Sequence, residues 1–224
     1  MPFSCEYCNR SFSRESTVAV HMCEPKRRRL SKQERGTQLG FHAYLRFYEI
    51  TQGSARTKTF EDFCDSPYYR AFVRWGNYCI NTKVIEPKDF LEWLLKNSKR
   101  IDDWASDTQY NQYLIWYLQN ESVQSALARS IEWSNDWAEL NDSVFRDCLR
   151  YGNHNVICHA IVSGRLSAWA VYNSASGQQW LAGLSEPLLA MIWPYINSDF
   201  WQQRFQRYPA DQLYAQSVLE QAGW

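Results

Sequence analysis

No apolar run in this 224-residue chain approaches the roughly 20 residues a membrane span needs. Strand-like alternation of useful length is missing too, as is any repeat at a fixed period. The chain lacks the G-x-x-x-x-G-K-S/T loop that cradles nucleotide phosphates, the G-x-S-x-G elbow of serine hydrolases and the H-E-x-x-H pair of zinc proteases. Nothing in it reads as an enzyme. Net charge is absent as well, at zero on 24 basic and 24 acidic residues. The balance hides a gradient, because residues 1–100 carry 18 Lys and Arg against 11 Asp and Glu, while residues 101–224 carry 6 against 13. A basic first half suits phosphate contact, and an acidic remainder suits a protein partner or plain solvation.

Cysteine is present in an odd number, seven, and its first members have a ligand pattern instead of a disulfide framework. Cys5 and Cys8 have the C-x2-C spacing of a zinc knuckle, and twelve residues separate Cys8 from His21. Phe3, Phe12 and Val18 stand where a small finger keeps its core. A segment of about 25 residues buries too little surface to fold without a metal, and thiolate with imidazole is the ligand chemistry of tetrahedral zinc. Cys23 is the candidate fourth ligand, since the position three to five residues past His21 is taken by Pro25, Lys26 and Arg27. On a continuous helix residues two apart point about 200° away from each other, so His21 and Cys23 share an ion only if the helix unwinds. Pro25 favours that unwinding. With a metal site in place of a signal sequence, a reducing, cytoplasmic location is expected.

Arg14, Thr17 and Val20 occupy the positions from which finger helices reach bases. Beyond the finger lies a basic run, Lys26, Arg27, Arg28 and Arg29, followed by Lys32 and Arg35, which is suited to phosphates. One finger covers only about three base pairs, too few for a genomic address.

The remaining chain reads as helical. Helices are expected over 38–50, from Ser66-Pro67 through Cys79, from Pro87, over 107–119 and over 121–138, the last two capped by Ser106 and Asn120. A basic polar loop is expected over 51–58. A composition change over 141–155 suggests a boundary, after which short helices cover 156–162, 174–182, 185–196, 198–208 and 210–222. The expected class is mainly α, with an N-terminal ββα zinc finger (1–25), a basic linker (26–36), a helical domain (37–145) and a C-terminal bundle (150–224). Trp169, Trp180, Trp193, Trp201 and Trp224 read mostly as core of that bundle. Cys148, His154, Cys158 and His159 fit no ligand spacing.

Tyr44-Leu45, the run from Tyr69 and Phe72 through Phe90-Leu91-Glu92-Trp93-Leu94 to Asn97, Asp103-Trp104 with Asp107 and Tyr110 to Leu118, and Ile161 to Ser167 carry a resemblance. Over about residues 43–222 their order resembles the replicative helicase loader of T-even-type phages. The whole chain also looks like finger-bearing proteins of marine T-even-like phages. The resemblance implies an all-helical two-domain replication accessory protein in the host-cell cytoplasm. Such a protein binds forked or branched DNA, contacts the single-strand-binding protein and recruits the replicative helicase. The finger and the acidic last domain depart from it, which moves DNA contact toward residues 1–36. Two alternatives stand beside this reading: a zinc-finger transcription regulator, and a zinc-dependent protein-interaction module that does not bind DNA.

Overall fold

A computed structural model describes residues 3–53 and 58–224. The protein is mainly helical, at 75% helix and 2% strand. Two strands, β1 (Phe3–Ser4) and β2 (Ser11–Phe12), pair antiparallel with Phe3 opposite Phe12. Helices α1 (Glu15–Val20) and α2 (Glu24–Leu30) follow, then α3 (Arg35–Gln52), α4 (Phe60–Asp65), α5 (Tyr69–Asn81), α6 (Pro87–Lys96) and α7 (Asp107–Asn120). The chain continues through α8 (Val123–Asn141), α9 (Cys148–Tyr151), α10 (His154–Val162) and α11 (Ala168–Asn173). It ends with α12 (Ala175–Ala182), α13 (Glu186–Ile196), α14 (Ser198–Arg207) and α15 (Pro209–Ala222). The polar loop expected over 51–58 falls in part on residues 54–57, outside the described residues, and Thr51 and Gln52 belong to α3.

Contacts divide the chain into two units, residues 1–113 and 114–224. The composition change at 141–155 is therefore not where the contacts thin out. The reason lies in α8, whose Val123, Ala126, Leu127, Trp133 and Trp137 belong to the same core as α10, α11 and α15.

In the first unit, α3 and α5 cross so closely that only glycine fits between them. A Cβ on Gly76 would stand 2.1 Å from the Gly36 carbonyl oxygen, and one on Gly40 2.8 Å from that of Phe72. Helix α5 buries Tyr69, Phe72, Trp75, Gly76 and Cys79, the three- and four-residue steps of a one-faced helix. Aromatic rings fill the space around them. Phe72 meets Trp104 edge-on at 5.7 Å, and the Trp104 indole N–H donates to the Lys99 carbonyl at 2.9 Å.

In the second unit, Trp169 and Trp201 meet edge-on at 5.6 Å in the centre of the core. Trp180 and Trp224 are also buried, but Trp193 is 38% exposed and lies outside the expected tryptophan core. Glu121, though a carboxylate, is buried, and Arg129 engages it with two bonds of 2.6 and 2.7 Å. Arg129 also donates to the Gly164 carbonyl at 2.6 Å, where a left-handed glycine (φ +74°) follows the end of α10. Ser106 caps α7 by accepting from the Gln109 N–H at 3.4 Å. For α8 the cap is Ser122, not Asn120, whose side-chain amide instead donates to the Trp116 carbonyl. Among the described residues no helix is long and apolar enough to cross a membrane.

Candidate metal centre and the basic face beside it

Cys5 follows β1, and the turn to β2 is closed by the Asn9 N–H on the Cys5 carbonyl at 2.8 Å and the Cys5 N–H on that of Arg10 at 2.9 Å. Asn9 adopts the left-handed conformation (φ +56°) that asparagine tolerates better than most residues. This turn carries Cys8 back beside Cys5. Helix α1 stops at Val20, and both His21 (φ −67°, ψ 123°) and Cys23 (φ −88°, ψ 163°) are extended. In extended chain, residues two apart project to the same side, so His21 and Cys23 face one point across Met22. The unwinding needed for a fourth ligand is thus present. Pro25 achieves it in an unexpected way, as a first-turn residue of the next helix, where its missing N–H costs nothing.

One ligand atom from each of Cys5, Cys8, His21 and Cys23 lies within 4.8 Å of all the others. Cys5 and Cys23 sulfurs are 3.9 Å apart, and the Cys8 sulfur is 3.3 Å from His21 Nε2. Thiolates on one tetrahedral zinc, at bonds near 2.3 Å, stand about 3.8 Å apart. The group is able to hold a metal ion, and its three sulfurs and one imidazole suit a soft or borderline one. Burial pushes the Cys5 thiol up, but backbone hydrogen bonds at Tyr7 and Cys8 outweigh it and hold that thiol below its ordinary value. The His21 ring leans on Phe12 at 4.8 Å, and Lys26 Nζ donates to the His21 carbonyl at 3.3 Å. Of the three apolar residues expected to form a finger core, Phe3 is 41% exposed, while Phe12 and Val18 are half-buried. The module has almost no apolar interior of its own, since α1 buries no residue.

The basic run is a helix, not a linker. Arg28 lies over the Tyr69 ring at 4.7 Å, donates to the Cys64 carbonyl at 2.8 Å and pairs with Glu24 at 3.3 Å. Arg29 grips Asp65 with bonds of 3.0 and 3.1 Å. Glu24 in turn accepts from Arg70 at 3.1 Å, and these bonds from Arg70 and Arg28 hold its carboxyl below the usual range. The two arginines therefore fasten α2 to α4 and α5. Arg14, Thr17, Arg27, Lys32 and Arg35 remain exposed, Arg27 with Glu24 at 3.9 Å and Lys32 over the Phe60 ring at 5.3 Å.

Comparison with protein-family models, curated proteins and solved structures finds no match.

Two cations that the sequence reading passed over stand beside the expected set. Arg70 and Arg74 are one turn apart on α5 and line an open groove of about 480 Å³ with Asn77, Tyr78 and Asn81. The Asn77 side chain packs against Gly36 of α3. Arg74 donates to the Asp102 carbonyl, and the Tyr78 hydroxyl donates to Asp107 at 2.9 Å. The four-residue spacing of Arg70 and Arg74 was the available signal.

Proposed function

We propose that Cys5, Cys8, His21 and Cys23 hold a structural zinc ion, and that the protein is a DNA-binding accessory factor of the replication fork. Four protein ligands leave no open coordination position, which suits a structural rather than a catalytic ion. The observation that carries the DNA reading is the set of exposed cations on and just after the metal module, Arg14, Arg27, Lys32 and Arg35. Exposed cations that reach phosphates supply most non-specific affinity for DNA. Arg14, just before α1, and Thr17, on it, are both exposed, and Arg14 is suited to a guanine contact. The fork, the single-strand-binding protein and the replicative helicase come from the resemblance to the T-even-type loader, and the acidic second unit is the natural surface for a protein partner.

A second reading is favoured by Val20, Met22 and Leu30, which are 80%, 48% and 61% exposed. Apolar side chains displayed beside the metal module suit a protein-interaction role without DNA.

Fluorescence anisotropy at near-physiological salt, with forked, linear duplex and single-stranded DNA of random sequence, tests the proposal. Tightest binding to the fork is expected. Replacing Arg14, Arg27, Lys32 and Arg35 together by Ala is expected to flatten the salt dependence by up to about four phosphate contacts. Absence of binding to all three DNAs would favour the interaction module. Binding confined to particular duplex sequences would favour a transcription regulator.

A further inference from the structure

The second unit carries a cleft whose chemistry runs against its surroundings. Residues 114–224 hold 6 Arg and no Lys against 10 Asp and Glu. Yet the cleft of about 300 Å³ between α9, the start of α10 and α12 is lined by Arg150, Tyr151, His154, Ser176, Gln179 and Trp180, and no carboxylate lines it. Arg150 and Tyr151 are exposed at its edge, and no ion pair or hydrogen bond engages the Arg150 guanidinium among the described residues. Of the unit's other arginines, Arg129 is committed to Glu121, Arg204 to the Glu121 carbonyl and Arg165 to Ser163, and neither Arg146 nor Arg207 lines this cleft.

Beneath the edge lie Ser176 and Trp180, both 4% exposed. Ser176 Oγ and Trp180 Nε1 are buried without a hydrogen-bond partner. The His154 ring stands edge-on to Trp180 at 6.2 Å and 85°, and both residues line the cleft with Arg150. Donors outnumber acceptors, positive charge has no internal counterion, and aromatic surface adjoins both.

We propose that this cleft binds a small ligand in which an oxyanion is joined to a planar ring, the chemistry of a mononucleotide. Arg150 takes the oxyanion through charge-assisted bonds, the exposed Gln179 amide adds a neutral one, and Tyr151 and His154 flank the ring. The volume is at the lower end of ligand pockets, the size of one nucleotide and not of an oligonucleotide. This site is independent of the DNA reading, since it draws on none of the cations of the first unit.

Isothermal titration calorimetry on the full-length protein at fixed ionic strength, with adenosine monophosphate, inorganic phosphate and adenosine, tests it. Saturable binding of the monophosphate is expected, tighter than that of either fragment. Arg150→Gln is expected to weaken it roughly tenfold or more, the usual loss for one charge-assisted contact. Arg165→Gln and the quadruple Ala variant of the first unit should leave it unchanged. No saturable binding of the monophosphate, or equal affinity in wild type and Arg150→Gln, overturns the proposal. Phosphate binding as tight as the nucleotide removes the ring from it, and adenosine binding as tight removes the oxyanion.

Discussion

At the scale of single residues, the seven cysteines divide by environment. Burial raises the thiols of Cys79 to about 12 and Cys148 to about 11, and those of Cys64 and Cys158 rise for the same reason. A thiol attacks only as thiolate, so these four stay inert at neutral pH. A colorimetric thiol titration is expected to find little fast reaction in zinc-loaded protein, three fast thiols after chelation, and all seven in denaturant. A fourth fast thiol in the folded, metal-free protein would mean that one core cysteine is open to solvent. The grouping of Cys5, Cys8 and His21, able to hold a metal ion, was readable because C-x2-C and a histidine twelve residues on constrain one another. Cys23 was readable only as a conditional, because its role depends on backbone angles at His21 that no residue identity dictates. Phe3 was misjudged for a related reason: a finger pattern says where a core residue usually sits, not whether anything covers it.

Among elements, α3 and α5 show how narrow the tolerance of a close helix crossing is. Gly76→Ala puts a methyl 2.1 Å from the Gly36 carbonyl oxygen, backbone that has little freedom to move. Overpacking of this kind costs about 1–3 kcal/mol. A fall in the unfolding midpoint of about 4 °C or more is expected by circular dichroism. An unchanged midpoint would show that the two helices separate without penalty. Helices with a clear apolar face, such as α5 and α6, stood out in the sequence. Helix α2 did not, since Glu-Pro-Lys-Arg-Arg-Arg-Leu has no apolar stripe and is held instead by ions, a ring face and carbonyls on α4 and α5. Pairing across 36 to 46 residues of sequence leaves no periodic trace. The boundary near 141–155 failed likewise, because composition records what a segment is made of and not which core its helix joins.

On the scale of the whole molecule, the metal site and the helical body make different demands. The tetrad supports a module that buries almost nothing, whereas residues 35 onward are organised around two aromatic cores that include none of the ligands. Cys5→Ser is accordingly expected to abolish zinc uptake while leaving the far-UV helical signal largely intact. Collapse of that signal would make the module integral to the first core. The charge gradient was visible from composition, but its use was not. Arg28 and Arg29 count toward it and hold α2 in place, and Arg70 joins them through Glu24, whereas Arg14 and Arg35 stay exposed.

Met22 is the lone residue between His21 and Cys23, in a chain that must leave one helix and enter another within that gap. Its side chain is half in solvent. The constraint at this position is therefore one of arithmetic: many side chains can stand there, but neither zero residues nor two. A deletion or an insertion would reverse the facing of Cys23 and shift the phase of α2 by about 100°, tearing Arg28 and Arg29 from their anchors in a single edit.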